Sequence, residues 1–451
     1  MRTRNPLFID THIDIHGSAP ALAVSLLLGL ILCLPGIAGA AVTVTGTGEP
    51  SMDLKNVQKA MDAGGEIVLK GRFDFGSDGS IKIRQQTRIS GVLGSDGRPD
   101  TTIMGGRWSL HSPLPVPGAP PSNPGPIVSL KNLRFTGARG TPLHFEYVGA
   151  LTVRNIVVEK VRPETIRLKG FQNGSAKFAA GIVVGTRLAQ RRKPIKDAVT
   201  GKIRITDSRF YMDVDHPSRT LGRGIMCVWT HAAAIRIAGN VVRNATRNGI
   251  EAFDNYTGPD GVLEIEGNNI ITDREGIEYP NPLTPNGIAA GWFLDTATGA
   301  SPSAGAPPVV SRNRIEVRGD RSIGLALFAN NAVAVCNDLI LAGGEDAMGI
   351  AQTGSFGFFM NNRIRGMGRY AVYTAPFENF RAAGNTFGWT QASGFDALRG
   401  NFYFGSDGNS VLGKSGPVVD KGRGNRFLDI KPCSLPGIDP GEDWEPVEDL
   451  P

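Results

Sequence analysis

The sequence predicts an all-β solenoid of roughly 23–25-residue coils, each holding three short strands. Two interleaved phrases and a recurring polar corner carry that prediction. Aligned on its closing apolar residue, the first phrase reads VSLKNLRF (ending Phe135), LTVRNIVV (Val158), IRITDSRF (Phe210), IRIAGNVV (Val242), LEIEGNNI (Ile270), PVVSRNRI (Ile315), VAVCNDLI (Ile340), GFFMNNRI (Ile364) and FRAAGNTF (Phe387). The steps between closing residues are 23, 52, 32, 28, 45, 25, 24 and 23, so the larger ones are insertions or a skipped copy. The second phrase is Gly181-Ile-Val, Gly224-Ile-Met, Gly249-Ile-Glu, Gly287-Ile-Ala, Gly324-Leu-Ala, Gly349-Ile-Ala and, with Ala in the Gly place, Ala371-Val-Tyr. Every copy of the first phrase has Asn or Asp at its fifth or sixth place. A sharp corner between strands needs a residue tolerant of left-handed angles, and after Gly that is Asn or Asp. Stacked corners also let Asn amides bond to one another along the axis, about 4.8 Å apart.

At the N-terminus, Ala19 to Val42 is almost wholly apolar and ends in GIAGAAV, where Ala38 and Ala40 form a small-x-small cleavage pattern. Residues 1–40 therefore read as a signal peptide, and the expected location is secreted, periplasmic or cell surface. Leu, not a small residue, precedes Cys33, which argues against lipidation. An uncleaved anchor is the competing reading, because the run is long enough to span a bilayer. After cleavage Cys227, Cys336 and Cys433 remain, an odd number without regular spacing. That excludes a disulfide framework or zinc site and leaves Cys227 and Cys336 as small core residues.

SMDLKNVQKAMDAGG (Ser51 to Gly65) places Leu54, Val57, Ala60 and Met61 on one helical face, with Ser51 or Asp53 as cap and the Gly pair as stop. The spacing predicts a capping helix over 51–63, covering the exposed first coil. EIVLKGRFDFG and SIKIRQQTRISGV read as strands, and Pro113 to Pro126 as a loop. Clear repeats run over 128–390. The step of 52 either hides an irregular coil around GFQNGSAKFAAGIVVG or is one large insertion. The solenoid domain is drawn as 41–404, followed by a C-terminal cap and an acidic, Pro-rich tail over 405–451.

With 451 residues, 59 Gly and 30 Pro, the chain is too long for one ordinary compact core. A solenoid escapes that limit, because each coil contacts only its neighbours. The net charge of +6 is modest and dispersed except for RLAQRRKPIK (Arg187 to Lys196), which reads as a solvated loop. No nucleic-acid motif accompanies it, so the charge points to solubility and to acidic polymers. Nothing in the sequence sets an oligomeric state, and a cleaved leader leaves no stable membrane insertion.

On these features the chain resembles the right-handed parallel β-helix class of the pectate lyase-like superfamily. The carrying features are the 24-residue coil, the Gly-Ile-x openings, the Asn corners, and the capping helix followed by GGEIVLKGRFDFG. The resemblance covers about Ser51 to Phe404. It implies that the Gly-Ile-x strand is the first of each coil, and that substrate lies along its outer face in a cleft walled by loops. The fold hosts lyases, hydrolases, epimerases, adhesins and non-catalytic modules, so it does not by itself assign a reaction.

Alternation puts Ile225, Ile250, Ile288, Leu325, Ile350 and Val372 inward. It leaves Met226, Glu251, Ala289, Ala326, Ala351 and Tyr373 outward, with Val228, Phe253, Gly291 and Phe328 one pleat further. Only Glu251 in that outward row is ionisable. This departs from the lyase pattern, in which acidic calcium ligands and a Lys or Arg base stand on neighbouring strands. Loops supply the remaining groups: Asp213, Asp215, His216, Arg219 and Arg223 before Gly224, Arg243 and Arg247 before Gly249, and Asp273, Arg274, Glu275 and Glu278 before Gly287.

Carboxylates one or two coils apart would sit about 5 or 10 Å apart, which brackets the retaining and inverting geometries of glycoside hydrolysis. Glu251 with Asp273 or Glu275 is then a permissible acid and base pair. The same carboxylates, or Asp213 and Asp215, could instead hold calcium, with Arg247 or His216 as the base of a β-elimination. Trp229, Asp254 and Trp292 stand at equivalent places in three coils, followed by His231, Asn255, Tyr256 and Asp295. With Phe253 and Tyr373 they are candidates for sugar stacking and hydrogen bonding; packing of both Trp rings inward or beneath inserted loops is the alternative.

Two functions follow as expectations. One is an exported protein that binds or cleaves a polysaccharide, acidic in view of the basic chain, by lyase or glycoside hydrolase chemistry. The other is a non-catalytic surface protein whose apolar outer strip (Met226, Val228, Phe253, Phe328 and Tyr373) binds glycan or a protein partner.

Overall fold

Three rows of inward aliphatic residues, each paired coil to coil, build a parallel β-helix. The computed structural model describes residues 41–115, 124–167, 175–185, 197–212, 220–258, 260–273, 285–292, 305–376, 381–395, 401–413 and 416–430. The leader, the basic run Arg187 to Lys196 and the acidic tail lie outside the described residues. First strands form one 13-stranded sheet, from Ile81–Lys82 to Val418–Asp420, and second and third strands together form a 23-stranded sheet. Strands pair parallel with the next coil, except for a short antiparallel hairpin in which Glu164–Arg167 meets Ser175–Gly185. No helix among the described residues is long and apolar enough to cross a membrane.

The six first-strand residues expected inward are all fully buried, and they stack in register from Ile225 to Val372. Each Ile or Leu so buried contributes about 1.5–3 kcal/mol, so the rows supply the driving force that the small cross-section would otherwise lack. The Gly of the second phrase is required by this packing. A Cβ on Gly249 would lie 2.3 Å from Ile270 Cγ2, and one on Gly287 2.2 Å from Ile315 Cγ2. Glycine lets the third strand's aliphatic row tuck beneath the start of the first strand.

The corners work by a division of labour that the sequence reading had merged. The left-handed angle falls on Asn132, Asn155, Asp207, Gly239, Gly267, Arg312, Cys336 and Asn361, all with φ between 50° and 65°. From Asn240 onward the next residue carries the ladder, whereas at the earlier corners the left-handed Asn155 itself donates to Asn132 Oδ1 (3.0 Å). Asn240 Nδ2 donates to Asn268 Oδ1 (3.0 Å), Asn268 to Asn313 (2.9 Å), Asn313 to Asn337 (3.0 Å) and Asn337 to Asn362 (2.9 Å). Each Oδ1 also accepts the backbone N–H of the preceding Asn, and each Nδ2 also donates to a backbone carbonyl. These buried amides are thereby satisfied, which is the condition for tolerating them inside a core.

Two alignments shift, and the open step of 52 is settled. Leu339, not Ile340, pairs with Ile315, because Cys336 takes the left-handed corner one residue early. Cys336 is accordingly exposed, not a core residue, while Cys227 is buried as expected. Phe387 stacks on Phe359 in the second-strand row, so FRAAGNTF opens a second strand and Ala392 is the residue over Ile364. The step of 52 is a single coil with an insertion, since Leu151 pairs with Ile203 and Val158 with Phe210. Strands continue past Phe404 through Ser410–Leu412, Val418–Asp420 and Arg426–Leu428.

The helix α1 spans Pro50–Ala63 and packs Val57, Ala60 and Met61 into the cluster that contains Phe73 and Phe75. Its N-cap is Glu49, which makes no side-chain cap bond. Asp53, expected as a cap, lies inside the helix and accepts the N–H groups of Thr47 (2.7 Å), Gly48 (3.1 Å) and Asp74 (2.8 Å). It therefore ties the entry loop and the first coil to the helix. Gly64, with φ 69°, ends the helix as expected.

Candidate functional site

One column of outward residues runs the length of the first-strand sheet. Register pairs Lys82, His111, His144, Val183, Met226, Glu251, Ala289, Ala326, Ala351, Tyr373 and Tyr403 in consecutive coils. Neighbours in the column are about 4.8 Å apart, so it brings chemistry from residues 321 positions apart in sequence onto one line.

The middle of the column is not the exposed apolar strip that was expected. Met226 and Val228 are each 1% exposed. The reason is a second apolar layer outside the sheet. The strands Ser175–Gly185 and Thr220–Val228 start early, and Phe178 and Leu221 on those extensions pack with Val183, Met226, Val228 and Trp229. Phe253 packs against this layer and meets Phe328 edge to face at 5.7 Å.

Glu251 lies at the border of that layer, 6% exposed. Arg223 Nε and Asn248 Nδ2 both donate to its Oε2 at 2.5 Å. Asn286 Nδ2 in turn donates to Asn248 Oδ1 (2.8 Å), and the Arg223 guanidinium rests 5.4 Å from the Phe178 ring centre. A carboxylate so held is an ionic anchor, unlike a proton donor standing in an open cleft. Asp273 sits in the other sheet, at the end of Asn269–Asp273, with Arg318 at 3.8 Å. The structure thus gives each carboxylate its own arginine. Arg247 is half-buried in the turn entering Asn248–Phe253, where its N–H donates to Gly222 O (2.8 Å). His216, Glu275, Asp213, Asp215 and Asp295 lie outside the described residues. Among those described, no group of three or more His, Cys, Asp or Glu is placed to hold a metal.

Of the two readings left open for the aromatic constellation, the structure shows packing. Trp229 is 7% exposed within the outer layer, and its Nε1 donates to buried Asp254 (3.2 Å). Trp292 is 2% exposed in the main core, with Tyr256 edge-on at 5.4 Å and His231 beyond Tyr256 at 5.5 Å. Buried ring faces are closed to a sugar. Tyr373 differs: it is half-buried and stacks on Tyr403 with centres 5.0 Å apart and planes 12° apart. Tyr370 completes the group, and the Arg369 guanidinium lies 5.5 Å from its ring centre. Burial, then the neighbouring Tyr403 and Tyr370, raise the Tyr373 hydroxyl above its ordinary pKa.

The N-terminal end of the column was missed from sequence. His111 on Leu110–Ser112 and His144 on Leu143–Phe145 are register partners. Ser80 Oγ is 2.9 Å from His111 Nδ1, and Glu146 Oε1 is 3.9 Å from His144 Nε2. The Trp108 ring lies 5.8 Å from both imidazoles. Arg107, 4.6 Å from that ring, bonds Glu164 at 2.8 Å and braces the Trp from outside. Both imidazoles are 4% exposed, so the pair packs beneath the outer surface beside Trp108. The available signal was the Leu-His dipeptide at 110 and 143, an inward-outward alternation without the Gly that marked later copies.

No protein-family model matches the sequence, and no curated protein matches it. Among solved structures, the A-module of the Azotobacter vinelandii mannuronan C-5 epimerase AlgE6 is similar, with a TM-score of 0.40 and 13% identity over 84% of this chain and 94% of that one.

Proposed function

We propose that the chain is an exported β-helix protein that binds an acidic polysaccharide along the outer face of its first-strand sheet, with lyase- or hydrolase-type chemistry on that face. The supporting observation is the column itself. A linear polymer needs contacts repeated along one direction, and here the half-buried Tyr373 and Tyr403 stand in register on one line with the small Ala326 and Ala351. The net charge of +6 favours a polyanion. The proton-transfer groups on this line, His111 and His144 with Ser80 and Glu146, are buried at 4% histidine exposure, and Glu251 is a buried carboxylate held by Arg223. A non-catalytic glycan-binding role is the second reading, favoured by the tight hold of Arg223 and Asn248 on Glu251.

Incubation with uronate polymers separates these readings. Rising ultraviolet absorbance marks β-elimination, new reducing ends without it mark hydrolysis, and binding without either marks the non-catalytic role. Failure to bind any polysaccharide sinks the proposal. If turnover occurs, His111→Gln or His144→Gln is expected to lower kcat at least about 100-fold, the scale of a lost general acid or base. Glu251→Gln breaks the buried pair with Arg223, so circular dichroism must show the variant folded before activity is compared, and full activity in the folded variant would exclude Glu251 from the site.

A further inference from the structure

The C-terminal end of the column carries a more specific assignment. The chain has only 7 Tyr, and three of them, Tyr370, Tyr373 and Tyr403, meet on one patch of the outer surface. They are not there to fill the core. Val372, Phe402 and Phe404 do that from the same strands, at 0–1% exposure, and so fix the backbone that presents the tyrosines. The three rings remain half-buried, with part of each open to solvent.

The neighbours of this patch are shaped for a flat ligand. On the other side of Tyr373 in the column stand Ala351 and then Ala326, so no large side chain in that line contests the approach to the ring. Arg369 supplies a cation at the rim. Its side chain is 50% exposed, and its acidic neighbour Asp346 is 3.8 Å away, an exposed contact weak enough to be exchanged for another carboxylate. Tyrosine suits the task because its ring packs on apolar C–H groups while its hydroxyl bonds at the edge, with little side-chain entropy to lose. A hydroxyl that holds its proton to higher pH than usual also stays a donor under ordinary conditions.

We infer that Tyr370, Tyr373 and Tyr403, with Arg369, form a subsite that stacks one pyranose ring of a uronate and pairs with its carboxylate. The assignment rests on the polysaccharide reading and makes it local.

The test is calorimetric titration with a uronate oligosaccharide and a neutral glucan oligosaccharide of equal length. Tyr373→Ala with Tyr403→Ala is expected to weaken uronate binding at least about tenfold, while Tyr373→Phe, which keeps the ring and loses only the hydroxyl bond, weakens it less, by about two- to fivefold. Arg369→Ala should remove the preference for uronate over glucan and leave glucan binding unchanged. Should the double Ala variant unfold, Tyr403→Leu replaces it, and saturating uronate must perturb the tyrosine ultraviolet spectrum of the unaltered protein. Unchanged affinity in the variants, or an unperturbed spectrum, overturns the subsite while the polysaccharide reading stands. Absence of binding by the unaltered protein overturns both.

Discussion

The two outer faces of this solenoid obey the same inward rule and treat charge in opposite ways. Outside the 23-stranded sheet, ion pairs stand in water: Arg236 with Glu264 and Glu266, Arg312 with Glu266, and Arg363 and Arg365 with Asp338. Outside the middle of the 13-stranded sheet, charge is withdrawn from water at Arg223 with Glu251, at 7% and 8% side-chain exposure, while Arg369 and Asp346 toward its end stay solvated. Exposed pairs contribute little, and buried ones must first offset their own desolvation. Charge kept on the costly face therefore points to a role other than stability, and it is the same face that gathers the histidines and the tyrosine platform.

The contrast can be broken most forcefully at the buried pair. Glu251→Ala leaves the Arg223 guanidinium uncompensated, and denaturant unfolding is expected to show a loss of about 3–5 kcal/mol. The double change Arg223→Met with Glu251→Leu should recover most of it. If the single change costs under about 1 kcal/mol, the pair is not isolated from water and the contrast fails.

Next in size is the ladder at the corner between second and third strands, both in the 23-stranded sheet. Asn313→Ala strands the amides of Asn268 and Asn337 inside the core, and the expected cost is about 1–3 kcal/mol for each group left unpaired. Arg312→Gly, one residue earlier, tests the division of labour at the corner. It relieves a non-glycine left-handed residue and should be neutral or stabilising by about 1 kcal/mol.

Much of the fold was legible because period and alternation are properties of the chain alone. The inward row from Ile225 to Val372 was placed residue by residue, and the register of most coils followed from it. The copy ending Ile340 slipped at its corner, while FRAAGNTF matched a corner, at Gly384, that precedes a second strand. A corner tolerates Arg312, Cys336 or Asn361 at its left-handed position, so residue type alone does not mark which of two adjacent places bends. The site was less legible. Exposure depends on what lies over a strand, and the layer built by Phe178 and Leu221 comes from extensions outside the repeat. His111 and His144 were hidden because their coils lack the glycine that identified the row elsewhere.

Thiol chemistry sharpens the comparison at a smaller scale. Burial pushes the Cys227 thiol up from 9.0 to about 12, while Cys336 is exposed at a corner. Mass mapping after a thiol reagent at pH 8 should find Cys336 modified and Cys227 untouched. Between pH 9 and 12 the unfolded chain loses the Cys227 proton and the folded chain keeps it. The folded state then binds more protons, so this group's stabilisation is whole below pH 9 and falls as pH rises toward 12. Tyr373 acts in the same direction above its ordinary pKa of 10.0. On the solvated face, Arg236→Ala should cost about 0–1 kcal/mol, less still at high salt.

The coil that carries the 52-residue step keeps its neighbours in perfect register. Closing a loop twice as long costs only about 0.6 kcal/mol more, so lengthening a turn here is nearly free thermodynamically. Inheritance can thus treat the interior and the rim as separate texts. Coils are copied whole to set how long the surface is, and turns are rewritten singly to change what that surface recognises, with neither edit disturbing the other.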